Sequence, residues 1–297
     1  MKRLIALLCA LCCFAGAARA ESPAWTEEAW NQVTDALAWD TVNPVPEKRR
    51  ILVPWWEAAQ AGTSQGDSRT LLFLSSDSPD MESNFGRADA VLVCRVELST
   101  GNVRLLSLPE EGLIDLAELP EPIALRYVNC FGGPSLVIRV LNDKLDLGIS
   151  RYFAVNVEAF SAIIDRLGGV VMDLTEGEGA SLGLGAGRQT LGGEDALRFV
   201  RLRRTGDGSL RVRALLESAL RQAADNSLSG LLKTASDLLP MTDTSLTTDD
   251  LMDLVFALFG QETPGSFDTM GLQAASRGAL DEALGEDCRR FLDGKGE

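Results

Sequence analysis

The sequence predicts an α/β sandwich in which helices cover both faces of a sheet. Three observations lead there. Short apolar runs of strand length occupy the stretch from Ile51 to Leu106, helical spacing takes over from Ser135, and strand-like runs recur between the helices. Strands mixed with amphipathic helices bury their apolar surface best as layers.

Taken in order, Trp25–Ala38 reads as a short helix, followed by a link bearing Pro44 and Pro46. Ile51–Pro54 and Thr70–Leu74 read as short buried strands. Ala90–Glu97 and Val103–Leu106 form a strand pair around the turn Ser99-Thr100-Gly101-Asn102. Ser135–Leu145 is helical and opens behind Gly132-Gly133-Pro134, because a first helical turn tolerates proline. Tyr152–Val155 is a strand. Phe160, Ile163, Ile164 and Leu167 fall at helical spacing and are expected to face the sheet, and Gly168-Gly169 stops that helix. Val170–Leu174 is the next strand. The glycine-rich stretch Gly177–Gly193 lacks the Gly-Lys-Ser/Thr ending of a phosphate-binding loop and reads as a mobile surface loop or lid. Leu210–Ala224, Leu228–Leu239 and Thr247–Phe259 read as helices, the last with a Thr247 cap and acids in its first turn.

No long Pro/Gly/Ser linker divides the chain. The expected organisation is a signal peptide over 1–20, a helix and linker over 21–50, one main domain over 51–262, and an extension with a terminal helix over 263–297. Lys2 and Arg3 start the signal segment, Leu4 to Ala18 is apolar or small, and Ala18-Arg19-Ala20 suits a signal peptidase, so cleavage is expected before Glu21. The apolar stretch falls short of the ~20 residues a spanning helix needs. The chain is thus expected to be secreted or extracytoplasmic, with an uncleaved anchor as the alternative.

Removing that segment takes away three of the 28 bases and none of the 43 acids, leaving a formal charge of −18. Such a charge disfavours nucleic acid and anionic membrane surfaces as partners. Cys94, Cys130 and Cys288 are the cysteines beyond the signal segment, an odd count that excludes a full disulfide framework; Cys94 reads as an inert core residue. The chain contains no histidine. That excludes Ser-His-Asp and Cys-His catalysis and imidazole zinc sites, and leaves carboxylates, which suit magnesium or calcium, as metal ligands.

Against the acidic background, six arginines crowd into the sixteen residues from Arg198 to Arg213: Arg198, Arg201, Arg203, Arg204, Arg211 and Arg213. Guanidinium forks bind phosphate or carboxylate oxygens in pairs, and crowding them costs repulsion unless an anion sits between them. The competing reading is a solvated helix face pairing with Glu194, Asp195 and Glu217. A second cluster lies upstream, with Asp77 just past Leu71–Leu74 and Gly86-Arg87-Ala88-Asp89 leading into the next strand. Carboxylates at adjacent strand ends can share a hard cation while Arg87 holds an oxygen that the cation also touches; strand-end acids also commonly solvate turns.

Taken in order, these segments resemble the LytR-CpsA-Psr family of cell-envelope proteins. The resemblance rests on Leu72-Phe73-Leu74-Ser75-Ser76-Asp77, Gly86-Arg87-Ala88-Asp89-Ala90-Val91-Leu92, Gly132-Gly133-Pro134, the stretch from Tyr152 to Phe160, Leu167-Gly168-Gly169-Val170, and the stretch from Leu191 to Arg203. It runs from about Ile51 to Phe259, with a weaker echo around Arg289–Leu292. It implies an α/β/α sandwich with a mixed central sheet, and a magnesium-dependent enzyme moving a glycopolymer from a polyprenyl-pyrophosphate lipid onto peptidoglycan or a related cell-wall acceptor. Asp77 and Asp89 then match the family's metal-associated acids, and Arg87, Arg201 and Arg203 its pyrophosphate-binding arginines. In an extended chain Arg201 and Arg203 would face one side. Either Arg211 or Arg213 fills a later arginine position, and Leu125-Arg126-Tyr127-Val128-Asn129 loosely resembles another binding segment, which adds Arg126. One departure is marked. Where the family usually carries an arginine, this chain reads Ser107-Leu108-Pro109-Glu110-Glu111, placing Glu110 where a cation is expected. A catalytically impaired relative that binds polyprenyl phosphate or cell-wall glycan is therefore the alternative.

Overall fold

Alternation along four strands sorts apolar side chains into two cores. In β1 (Ser68–Ser76) Leu71 and Phe73 point to one face, while Leu72 and Leu74 point to the other. β2 (Ala88–Glu97), β3 (Val103–Leu108) and β6 (Arg151–Asn156) divide in the same way, as a two-residue side-chain period requires. The computed structural model describes residues 50–60, 66–78, 85–202, 242–259, 265–272 and 280–295, together with 211, 214, 215 and 218. The expected signal segment, the helix Trp25–Ala38 and most of the two helices expected between 210 and 239 lie outside these residues.

Among the described residues six strands form the main sheet, in the order β10-β3-β2-β1-β6-β9, with β9 at Thr242–Thr244 and β10 at Phe267–Gly271. The sheet is mixed. β1 pairs antiparallel with β2 and parallel with β6, β2–β3 and β6–β9 are antiparallel, and β10 runs parallel to β3. α3 (Val157–Arg166), α5 (Gly193–Val200) and α6 (Thr248–Phe259) cover one face; Phe160, Ile164, Ala196, Phe199, Leu254 and Leu258 are buried there. Ile163 and Leu167 join that core partly buried, so all four residues expected to face the sheet pack toward it. α1 (Trp55–Gln60), α2 (Leu125–Leu145) and α7 (Glu282–Leu292) line the other core, through Ala58, Phe131, Leu136, Cys288 and Leu292. The α/β/α sandwich expected from the sequence is the architecture found.

Several elements differ from the sequence reading. Ile51–Pro54 is not a strand but an irregular approach to α1, tied to the second core by the Ile51 N–H donating to the Phe131 carbonyl at 2.7 Å. The helix read over Ser135–Leu145 does open behind Gly133 (φ 65°, ψ −168°), a conformation open in practice only to glycine, but a helical stretch from Leu125, which the sequence reading lacked, precedes that break and joins it as α2. Its first half is buried at nearly every position from Val128 onward, so it shows no amphipathic stripe. The stretch Gly177–Gly193, expected as a loop or lid, is structured. Its α4 (Glu176–Leu182) opens in a reciprocal cap between Thr175 and Glu178, and β8 (Gly187–Leu191) pairs antiparallel with β7 (Val170–Leu174). Residues expected as a C-terminal extension supply the edge strand β10 and the helix α7, which packs on α2. Cys94, Cys130 and Cys288 are buried and unbridged, and burial pushes the Cys94 thiol up to about 12.

Candidate active site

The site begins with an irregularity in the sheet. Ser75 faces Ala90 while Ser76 faces Ala88, so Asp89 is the extra residue of a β-bulge. The bulge reverses the facing: Ala88 belongs to one core and Ala90 to the other. Bulges commonly re-aim a side chain beside a functional site. Here the extra residue is an acid at the strand end where β1 also finishes, one residue short of Asp77.

Asp77 and Arg87 form a closed clasp. The Arg87 main-chain N–H donates to Asp77 Oδ1 at 2.5 Å and its Nε to Oδ2 at 2.7 Å, while the Asp77 N–H donates back to the Arg87 carbonyl at 2.9 Å. Gly86 makes the approach possible, since a Cβ there would stand 2.7 Å from Asp77 Oδ1 and collide with the Ser78 main chain. Asn129, in the first half of α2, donates its Nδ2 to the Gly86 carbonyl at 2.7 Å. That helix half therefore braces the loop carrying Arg87, a contribution the sequence reading missed. Burial works against the Arg87 charge, but the hydrogen bond and charge of Asp77 outweigh it and raise its pKa above the ordinary arginine value.

Asp89 lies between two further guanidinia. Arg201 Nη2 is 3.5 Å from its Oδ2 and Arg126 Nη2 is 3.8 Å from its Oδ1. Burial, then the charge of Asp77, raise the Asp89 pKa, and the two arginines only partly offset this. Asp89 is thus a carboxylate that gains from added positive charge. Arg126 sits in the first turn of α2, its Nη1 2.6 Å from Glu111 Oε1, and its Nε is buried without a hydrogen-bond partner among the described residues. Glu111 is therefore an acid that intrudes on Arg126. The neighbouring Glu110 presents its main-chain carbonyl to the Arg126 N–H at 2.8 Å.

The arginine block does not act as one unit. Arg201 closes α5 as its C-cap (φ −89°, ψ 0°), so it is not in extended chain and the expected alternation with Arg203 does not apply at that position. Arg198 turns away to pair with Asp195 at 3.1 Å, as the solvated-face reading anticipated. Arg211 donates to the Leu202 carbonyl, one residue beyond Arg201. Arg203 and Arg213 lie outside the described residues. The structure brings together Asp77, Arg87, Asp89, Arg126 and Arg201.

Among the described residues no group of three or more acidic, cysteine or histidine side chains could cage a metal ion. Asp77 and Asp89 are the neighbouring carboxylates that could hold a magnesium ion, which would take its remaining ligands from water and phosphate.

The profile of the LytR_cpsA_psr family matches residues 42–273. The chain belongs to this family. Among curated relatives, it is 27% identical over 198 residues to the polyisoprenyl-teichoic acid–peptidoglycan teichoic acid transferase TagU of Oceanobacillus iheyensis, covering 63% of this chain and 60% of the relative. It is 26% identical over 200 residues to the Bacillus licheniformis protein of the same name, covering 63% of each chain. The chain thus spans somewhat under two thirds of the length of these relatives. Among solved structures, a Streptococcus agalactiae protein superposes with a TM-score of 0.62 at 17% identity, covering 80% of this chain and 90% of that one. TagT with bound octaprenyl pyrophosphate lipid superposes with a TM-score of 0.59 at 17% identity, covering 77% and 90%. At such identities the superpositions establish a shared fold.

Proposed function

We propose that this LytR_cpsA_psr family member is an extracytoplasmic phosphotransferase. It moves a glycopolymer from a polyprenyl-pyrophosphate carrier to peptidoglycan or a related cell-wall acceptor. The observation that carries this reading is the meeting of Asp77, Arg87, Asp89, Arg126 and Arg201 where β1 and β2 end. Relatives named for teichoic acid transfer to peptidoglycan, and a similarly folded protein with a bound prenyl pyrophosphate, support it. The export signal expected over residues 1–20 supports a reaction outside the cytoplasm, where lipid-linked polymer and acceptor meet; none of the described helices is long and apolar enough to cross a membrane.

In the reaction an acceptor hydroxyl attacks the sugar-linked phosphorus, a new P–O bond forms, the bridging P–O bond breaks, and polyprenyl phosphate leaves with the electron pair. Phosphoryl transfer asks mainly for positioning and charge neutralisation, which suits a chain without histidine. Arg87 and Arg201 would hold phosphate oxygens, and Arg126 would do so once released from Glu111. Asp77 orients Arg87. Asp89, the carboxylate not locked in the clasp with Arg87, would accept the proton of the incoming hydroxyl. Asp77 and Asp89 would hold a magnesium ion, which would supply charge neutralisation at the pyrophosphate.

The Glu111–Arg126 contact favours a second reading, a relative that binds polyprenyl phosphate or cell-wall glycan without turning it over. Incubating the purified chain with a short polyprenyl-pyrophosphate-linked saccharide and a peptidoglycan acceptor, with and without magnesium, separates the two. Release of polyprenyl phosphate together with labelled acceptor establishes transfer. Binding without release establishes the second reading, and the absence of both binding and release overturns both.

A further inference from the structure

The described site is charge-balanced before any ligand arrives, and one of its acids is held in place in an unusual way. Pro109–Gly112 forms a turn closed by the Gly112 N–H donating to the Pro109 carbonyl at 3.0 Å. Two main-chain hydrogen bonds fasten that turn to the start of α2, Leu125 N–H to the Gly112 carbonyl at 2.8 Å and Arg126 N–H to the Glu110 carbonyl at 2.8 Å. Glu111 is thereby presented to Arg126 on anchored backbone, with its carboxylate 2.6 Å from Nη1 and its side chain 48% exposed. Side-chain ordering usually weakens an exposed ion pair, and anchored backbone reduces that cost. On its other side Arg126 faces Asp89 only loosely, at 3.8 Å, and its Nε is buried without a hydrogen-bond partner among the described residues. The guanidinium is therefore engaged at one nitrogen by an acid that remains open to solvent.

We infer that Glu111 is an internal competitor for Arg126: it occupies the guanidinium in the empty site and must swing out before a phosphate anion can take its place. The inference rests on the anion-site reading above and adds how that site limits its own affinity. An incoming pyrophosphate group gains Arg126 only by displacing a carboxylate, and it meets the repulsion of that carboxylate if displacement is incomplete. Glu111 then sets a threshold. Weakly charged anions fail to displace it, whereas a multiply charged pyrophosphate succeeds.

The test measures inorganic pyrophosphate binding to the full chain by calorimetry, comparing the parent with Glu111→Gln and Glu111→Ala. Glu118→Gln serves as a control, because Glu118 makes an ion pair of the same length with Arg139. Both Glu111 variants should bind about tenfold more tightly, reflecting a lost competing pair plus relieved repulsion. Glu118→Gln should bind as the parent does, and adding Arg126→Ala to Glu111→Gln should abolish the gain. A merely structural role for Glu111 would not tighten binding. Unchanged affinity in the Glu111 variants, with Arg201→Ala still weakening binding, overturns the competitor and leaves the anion site standing. Equal tightening in Glu118→Gln also overturns it, as a general charge effect. Absence of pyrophosphate binding in the parent and all variants overturns both readings.

Discussion

Arg87 holds Asp77 at both carboxylate oxygens, with the main-chain N–H on Oδ1 and Nε on Oδ2. The Asp77 side chain is 6% exposed, so this carboxylate has exchanged water for a single neighbouring residue. Truncating Arg87 to alanine keeps the main-chain contact and removes the charged one. The expected loss is roughly 2–4 kcal/mol, because a buried charge is left without its counter-ion. Arg87→Lys should recover only part of it, since an ammonium cannot reproduce the fork. Urea unfolding checks both. Asp77→Asn combined with Arg87→Ala should cost less than the two single changes added together.

Gly86 is the backbone condition for that clasp. A Cβ at this position would press on Asp77 Oδ1 and on the Ser78 main chain, which cannot yield as a flexible side chain does. Gly86→Ala should therefore destabilise by about 1–3 kcal/mol, as overpacking does. It should also weaken pyrophosphate binding by displacing Arg87. Intact stability with intact binding would falsify this view of the loop.

Asp89 allows a prediction with a definite sign. Its pKa is raised in the folded chain, by burial first and by the charge of Asp77 second, so folding favours the protonated acid. Stability from this group is fully present below the ordinary aspartate value and is lost as pH rises through the raised one. At neutral pH the ionised Asp89 works against the apo fold. Asp89→Asn should consequently raise Tm at pH 7, and the difference should shrink as pH falls toward the ordinary aspartate range. The same variant should lose any dependence of pyrophosphate binding on magnesium. A lower Tm at pH 7 would show that the contacts with Arg126 and Arg201 dominate instead.

The sandwich was legible because its strands, buried on both faces, read as short apolar runs and α3 carries a one-sided apolar stripe. The first half of α2 was not, because burial of consecutive residues from Val128 to Phe131 erases the helical period. Glycine content misled at Gly177–Gly193, where the Thr175–Glu178 cap and pairing with β7 decide the structure. In the site, Asp77, Arg87 and Asp89 were legible because they flank two recognisable strands and match a family pattern. The role of Glu111 was not. That Glu111 meets Arg126 depends on how the turn Pro109–Gly112 is fastened to α2, a tertiary contact with no local signature.

Arg198 and Arg201 lie three positions apart and mirror one another in composition, yet they occupy opposite roles. Arg198 is in the last turn of α5, where a cation is favourable beside the helix C-terminus, and it pairs with Asp195 on the helix surface. Arg201 follows as the C-cap and reaches Asp89 across 112 residues of sequence, with 46% of its side chain still exposed. An arginine this exposed contributes little to folding and retains donors for a ligand. Arg201→Ala should thus leave the urea midpoint nearly unchanged while weakening pyrophosphate binding by ~1.5–3 kcal/mol, the scale of a charged hydrogen bond. Arg198→Ala should leave binding unaltered and cost at most ~0.5 kcal/mol of stability, typical of a surface pair. Equal losses of binding in the two variants would mean that ligand responds to the net charge of the block, and Arg201 would then have no individual place in the site.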